Sequence, residues 1–229
     1  MFLPLHDGVP LRHLKRPYVT YGLIALNVLI FMAVAAGLFG APAKVETGLG
    51  VIPAVVWGKA ELAAGLALAP TWATFVTAMF LHGGVGHLVG NMLFLWVFGD
   101  NVEDAMGHGR FLAFYLACGL AGSLLFCMIK PDVQAPLIGA SGAVSGVVTA
   151  YVMLYPRVSV FGLVFNWLPL TIPALYCIGA WILLQIGSAL FGADAQVGWW
   201  AHVGGIFAAL ALTPISKRRD VALFDDPIT

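Results

Sequence analysis

Charged residues in this chain are few and clustered, and they leave six long uncharged stretches whose lengths constrain the fold more than any motif. The stretches run from Pro17 to Ala43, Leu62 to Gly99, Phe111 to Ile129, Val133 to Pro156, Val158 to Ala193 and Ala195 to Ser216. Each can hold the roughly 20 apolar residues that a helix needs to cross a bilayer. Of the 229 residues 61% are hydrophobic and 10% charged, with a mean hydropathy of +0.94. Soluble domains carry about 25% charged residues, so this chain lies well outside their range. Its 11 basic and 11 acidic residues cancel, which leaves no basic field for nucleic acid. The expectation is an all-α membrane protein with six transmembrane helices.

Two stretches, 62–99 and 158–193, are too long for one helix and too short for two, so each should carry an interfacial or loop portion. The first stretch is too long, and too poor in cleavage signals, for a removable signal peptide. Helices are expected at about 18–39, from Gly86 to Asp100, and at 111–129, 141–155, 170–191 and 200–215. Residues 43–72 mix Lys44, Glu46, Lys59 and Glu61 with Pro53, Pro70, Trp57 and Trp72. That mixture suits a first loop lying in the interface, since Trp favours the headgroup level. A polar turn is expected from Asp100 to Arg110. The domain plan is a tail at 1–16 with no regular pattern, a helical domain at 17–216 and a charged tail at 217–229. With six crossings both termini share a side. That side holds Arg12, Lys15, Arg16, Arg110, Arg157, Lys217, Arg218 and Arg219, against Lys44, Lys59 and Lys130 on the other. The bias puts both termini in the cytoplasm. Cys118, Cys127 and Cys177 lack metal-like spacing and read as small packing residues.

Ionisable and polar groups inside a membrane are costly and signal function. Ser141 lies in Gly139-Ala140-Ser141-Gly142, and His202 lies near the start of another apolar segment. Residues four apart share a helix face, which pairs His87 with Asn91, Gly142 with Gly146, and Gly205 with Ala209. Small residues at that spacing let membrane helices approach closely. The helices bearing Ser141 and His202 can then pack backbone to backbone and bring the two side chains within hydrogen-bonding reach. This is a parts list for acyl transfer. Ser141 is a nucleophile once a base takes its proton, and neutral His202 is that base and later the acid. The oxyanion needs donors. The Ser141 N–H at a helix start, the Asn91 amide and a His87 ring N–H supply them, and Gly139 belongs to the same oxyanion-binding set. No acid at that depth orients His202, so the pair is a dyad.

Gly139-Ala140-Ser141-Gly142 resembles the GxSG motif of the rhomboid intramembrane serine proteases. His87-Leu88-Val89-Gly90-Asn91 resembles their second-helix HxxxN signature, and Ala201-His202-Val203-Gly204-Gly205 their final-helix histidine. Asn101 to Gly107, with Gly109-Arg110-Phe111, is similar to the stretch joining their second and third helices. The match covers about residues 70–215. It implies a six-helix rhomboid bundle, with Ser141 as nucleophile, His202 as base, and His87 and Asn91 as oxyanion stabilisers. It also implies a lateral gate at the fifth helix and a cap loop near 192–198. No cofactor or metal is called for. The partners are the lipid bilayer and transmembrane protein substrates, and the expected home is a bacterial plasma (inner) membrane. Two departures stand out. Trp57-Gly58 and Trp72-Ala73 lack the arginine of a first-loop Trp-Arg pair. Ser145 occupies the place where some members stack an aromatic on the histidine.

Blander roles suit other residues. Ser123, Ser188 and, in the main, Ser145 read as packing serines. His82 reads as support for the first loop, and Glu103 as a loop-bracing carboxylate. Trp199 and Trp200 read as interface anchors, and His6, His13 and His108 as ordinary aqueous residues. A haem protein using His87 and His202 as axial ligands leaves Asn91 idle. A relative that is catalytically silent and routes client proteins is the remaining alternative. A zinc protease needs His-Glu-x-x-His, which is absent. An aspartyl protease needs two intramembrane aspartates, and Asp100 is alone. No symmetry of a transporter is visible.

Overall fold

Hydrophobic helices with no charge to set a polar face must pack through shape, and the computed structural model shows how they do so. It describes residues 2–165, 167–192 and 197–224. Helix α1 spans Tyr18–Ala35. The first loop holds two short helices, α2 (Pro42–Leu49) and α3 (Pro53–Val56). Helix α4 (Thr71–Thr77) runs into a 3-10 turn at Ala78–Phe80, followed by α5 (Val85–Met106), α6 (His108–Ile129) and α7 (Ser141–Leu154). Helices α8 (Ala174–Phe191) and α9 (Trp199–Ser216) complete the set. Helices α1, α6, α8 and α9 are long and apolar enough to cross a membrane. The α4 segment and α5 make a fifth candidate span, bent by 80° at the glycine turn between them. Outward-facing Leu29, Met32, Leu124, Leu183, Phe191 and Phe207 are exposed. Such an apolar exterior suits lipid rather than water.

The short helix α7 lies at the centre. Eleven of its 14 residues are buried, and it packs against α5, α6, α8 and α9. Tyr151 of α7 packs against Phe98 of α5, the rings tilted by 56° with centroids 4.7 Å apart. Small residues along α6, α7 and α9 make that position possible. A Cβ on Gly122 would come within 2.5 Å of the Ala201 carbonyl, and one on Gly146 within 2.6 Å of Cys118. Cys118, Cys127 and Cys177 are free and buried, in the packing role that their apolar surroundings suggest.

Strands were not expected, and here the structure departs from an all-helical plan. A three-stranded antiparallel sheet joins β1 (Phe2–His6), β2 (Ser159–Val164) and β3 (Leu168–Pro173) in that order. The β2–β3 hairpin fills the surplus length of the 158–193 stretch, and β3 runs straight into α8. Its Val, Phe, Leu and Ile content favours strands, although without charges it also reads as helix.

The amino-terminal tail is likewise ordered rather than irregular. Asp104 accepts hydrogen bonds from the backbone N–H groups of Arg12, His13 and Leu14 at 2.9, 2.8 and 2.6 Å. Glu103, fully buried, accepts from Val19 N, Thr20 N and the Thr20 hydroxyl at 3.0, 2.7 and 2.7 Å, and pairs with His108. It braces the first turn of α1, whose N–H groups have no partner within their own helix. Asp7 accepts from Asn101 Nδ2 and the Tyr151 hydroxyl, both at 2.7 Å. The polar turn expected at 100–110 is therefore helix. Residues 100–106 finish α5, with Glu103 and Asp104 turned inward to donors from distant segments. Only Gly107, at φ +85°, separates α5 from α6, a backbone angle that favours glycine. At the other end, Arg218 N donates to Ala105 O and Phe224 N to Met153 O, so the tail through residue 224 is docked.

Replacing Glu103 with Ala leaves buried amides of α1 without an acceptor. Glu103→Ala is expected to destabilise the protein by roughly 2–4 kcal/mol. Thermal unfolding in detergent gives the measurement, and an unchanged midpoint would contradict the bracing role.

Candidate active site

A lone hydroxyl in a membrane helix ordinarily bonds its own backbone. Ser145 and Thr149 do so, donating to the carbonyls of Ser141 and Ser145 at 2.7 and 2.8 Å. Ser141 differs because it opens α7, where no preceding turn offers a carbonyl. Its backbone N–H, at a helix start, is one of the donors a helix leaves free. The residues before it are held by the first loop. Leu137 and Val51 exchange backbone hydrogen bonds at 2.8 and 3.0 Å, and Gly139 N donates to Ala78 O at 2.8 Å. Gly139 has φ +121°, and a Cβ there would lie 2.7 Å from the His87 ring and 3.8 Å from Ser141 Oγ. Glycine at 139 thus permits both the turn and the closeness of His87.

Ser141, His202, His87 and Asn91 line one cavity of about 600 Å³, together with Ser145, Gln185, Trp181 and Trp199. Ser141 and His202 are half-buried, Asn91 is buried and His87 is exposed at the mouth. The geometry comes from α7 and α9 touching backbone to backbone. A Cβ on Gly205 would collide with the Gly142 carbonyl, and one on Gly204 would lie 2.8 Å from the Ala121 carbonyl. The facing pair of Gly142 and Gly205 was readable as helix spacing. The third helix in this contact, α6 through Ala121 and Gly122, was not.

The structure brings the expected residues together without closing every bond between them. No hydrogen bond joins Ser141 Oγ to His202 among the described residues. Catalytic hydrogen bonds are commonly long before substrate binds. His202 Nδ1 is instead 2.7 Å from Gln185 Oε1 of α8, and the Trp199 ring meets the imidazole edge-on at 5.8 Å. Asn91 Nδ2 donates to His87 O at 3.0 Å. His82 packs edge-on against His87 at 5.0 Å, with neither ring nitrogen hydrogen-bonded among the described residues. It thus touches a residue that lines the cavity. Trp199, read as an interface anchor, lines the cavity. Gln185 was missed altogether, although a single amide in an otherwise apolar helix was a signal that could have found it. The expected cap loop lies mostly outside the described residues. Among the described residues no three His, Cys, Asp or Glu side chains gather as a metal site. Chemically, the arrangement places a hydroxyl, an imidazole and N–H donors around one cavity.

Comparison with known proteins agrees with this architecture. Residues 69–219 match the Rhomboid domain, and the chain belongs to the rhomboid family of multi-pass integral membrane proteins. It is 33% identical over 197 residues to Rhomboid protease GluP of Bacillus subtilis, covering 86% of this chain and 35% of that protein. It is 28% identical over 163 residues to RHOMBOID-like protein 12, mitochondrial, of Arabidopsis thaliana, covering 64% and 47%. Rhomboid protein 1, mitochondrial, of Saccharomyces cerevisiae is 30% identical over 142 residues, covering 58% and 38%. The chain thus spans less than half the length of these relatives.

Two substitutions test the packing. Gly205→Ala should cost roughly 1–3 kcal/mol, because α9 must shift from α7. Gly205→Leu should abolish the folded state in detergent, and a folded Gly205→Leu protein would contradict the contact.

Proposed function

We propose that this chain is an intramembrane serine endopeptidase that cleaves transmembrane segments of membrane proteins. Ser141 is the nucleophile and His202 the general base. Asn91, His87, Gly139 and the Ser141 N–H hold the oxyanion. The observation that carries the reading is the cavity that Ser141 shares with His202, His87 and Asn91 at the start of α7. In the first step the Ser141 proton passes to His202 Nε2 as Oγ adds to the scissile carbonyl. The imidazolium then gives that proton to the leaving amine, and water repeats the sequence on the acyl-enzyme. A side-chain rotation that brings Oγ to Nε2 is part of the step.

The working unit is a six-span domain over 17–216, with α7 as its short fourth span and the first loop in the interface. On the bias of Lys and Arg, both termini lie in the cytoplasm of a bacterial cell, and Ser141 lies toward the opposite face. Substrates are single-span proteins with small, helix-weakening residues near that face, since such a segment can unwind into the cavity. The competing reading is a silent relative that binds and routes client proteins. It draws support from the missing hydrogen bond between Ser141 and His202, and cleavage of a model substrate decides between the two.

Ser141→Ala and His202→Ala should each lower cleavage of a model transmembrane substrate by roughly 10³-fold or more. A fluorophosphonate probe should label the wild type at Ser141 and leave Ser141→Ala unlabelled. Undiminished cleavage in either variant refutes the dyad. Asn91→Ala should lower kcat by roughly 10²-fold with little change in KM, the mark of a donor used mainly in the transition state. Added EDTA should leave the wild-type rate unchanged.

A further inference from the structure

We propose that Gln185 is the positioning residue of His202. Its Oε1 accepts Nδ1–H, fixing the tautomer that leaves Nε2 unprotonated for Ser141. The inference rests on the proteolytic reading above and supplies what a dyad without an acid lacks.

Three observations converge. Gln185 is 4% exposed, and apart from Cys177 the other buried residues of α8 are apolar. A buried amide is costly unless its groups are bonded. Its side-chain partner is His202 Nδ1 at 2.7 Å, and the two residues come from different helices and line the same cavity. A neutral imidazole carries its proton on one nitrogen, and the bond made by that nitrogen decides which one is left as base. With Oε1 as acceptor the proton resides on Nδ1. When Nε2 takes the Ser141 proton, the ring becomes a cation, and the amide oxygen dipole faces the Nδ1–H that carries part of the new charge. No proton passes to Gln185, so it returns unchanged when Nε2 gives up its proton to the amine. Trp199, edge-on to the ring, limits its tilt. The Ser145 hydroxyl donates to the Ser141 carbonyl, and no hydrogen bond joins it to His202 among the described residues. The opposite amide orientation has a different consequence. Gln185 Nε2–H would donate to a bare Nδ1, the ring proton would reside on Nε2, and the base would be lost. An interhelical hydrogen bond serving stability alone would leave the tautomer and kcat untouched.

The full chain in detergent, cleaving a single-span model substrate, gives the test. Gln185→Leu should lower kcat by about 10- to 100-fold with KM unchanged. Gln185→Glu should restore most of that loss, since its carboxylate oxygen accepts the same hydrogen. In ¹⁵N-histidine NMR of the wild type, with His202 assigned against the His202→Ala spectrum, the ring should show Nδ1–H and bare Nε2. Wild-type kcat in Gln185→Leu would overturn the proposal, as would an Nε2–H tautomer in the unaltered protein. If Gln185→Leu fails to fold, Gln185→Glu and the wild-type spectrum decide: near-wild-type kcat with Nδ1–H supports the proposal, and inactivity of a folded Gln185→Glu overturns it. Undiminished cleavage in Ser141→Ala instead overturns Ser141 as the nucleophile, and the tautomer still reports on Gln185 by itself.

Discussion

Lipid tails are as apolar as leucine, so helices inside a bilayer gain little from hiding side chains against each other. Close backbone approach is what remains, and the meeting of Gly142 with Gly205 is its sharpest instance here. Because neither residue has a Cβ, the Gly142 carbonyl can occupy space that any side chain on α9 would take. Gly122 and Gly204 extend the same contact to α6. The start of α7 is thereby fixed against the start of α9, and the hydroxyl of one and the imidazole of the other open on a common space. Widening that seam by a single methyl group would move the two groups apart before it disturbed anything else in the bundle.

A second set of forces works at the other end of the molecule. Glu103, Asp104 and Asp7 are carboxylates carried where apolar side chains prevail, and each is surrounded by N–H or O–H donors from remote segments. Burying a carboxylate is tolerable only with such partners. The result ties the amino-terminal segment and α1 to α5 and α7. Precision at the cavity and anchoring at the opposite end thus use different chemistry. One relies on the absence of side chains and the other on charged ones.

Much of this was legible in the residues. Charge-free stretches gave the helices, because burial in lipid leaves the sequence little other freedom. The four-residue spacing of Gly142 with Gly146, and of Gly205 with Ala209, pointed to the α7–α9 contact. His87, Asn91, Ser141 and His202 do line one cavity. What escaped was non-local. Asp100 to Met106 looked like a polar turn because Glu103 and Asp104 find backbone donors more than eighty residues away, which no local pattern reveals. The β2–β3 hairpin was not legible as strands: the stretch before residue 170 read as loop and the end of β3 as the start of a helix, because apolar residues without charges carry no period that separates strand from helix. Gln185 escaped because its meaning depends on a ring seventeen positions later, brought near only by the pairing of α8 with α9.

The three-stranded sheet has an effect beyond filling a gap in the chain. Its first strand belongs to the extreme amino terminus, and its last flows without a loop into the helix that carries Gln185. The pairing of Phe2 with Val164, and of Val164 with Leu168, therefore ties residue 2 to the strand that leads into α8. The first few amino acids are thereby joined through the sheet to the helix whose Gln185 meets the imidazole at the cavity wall.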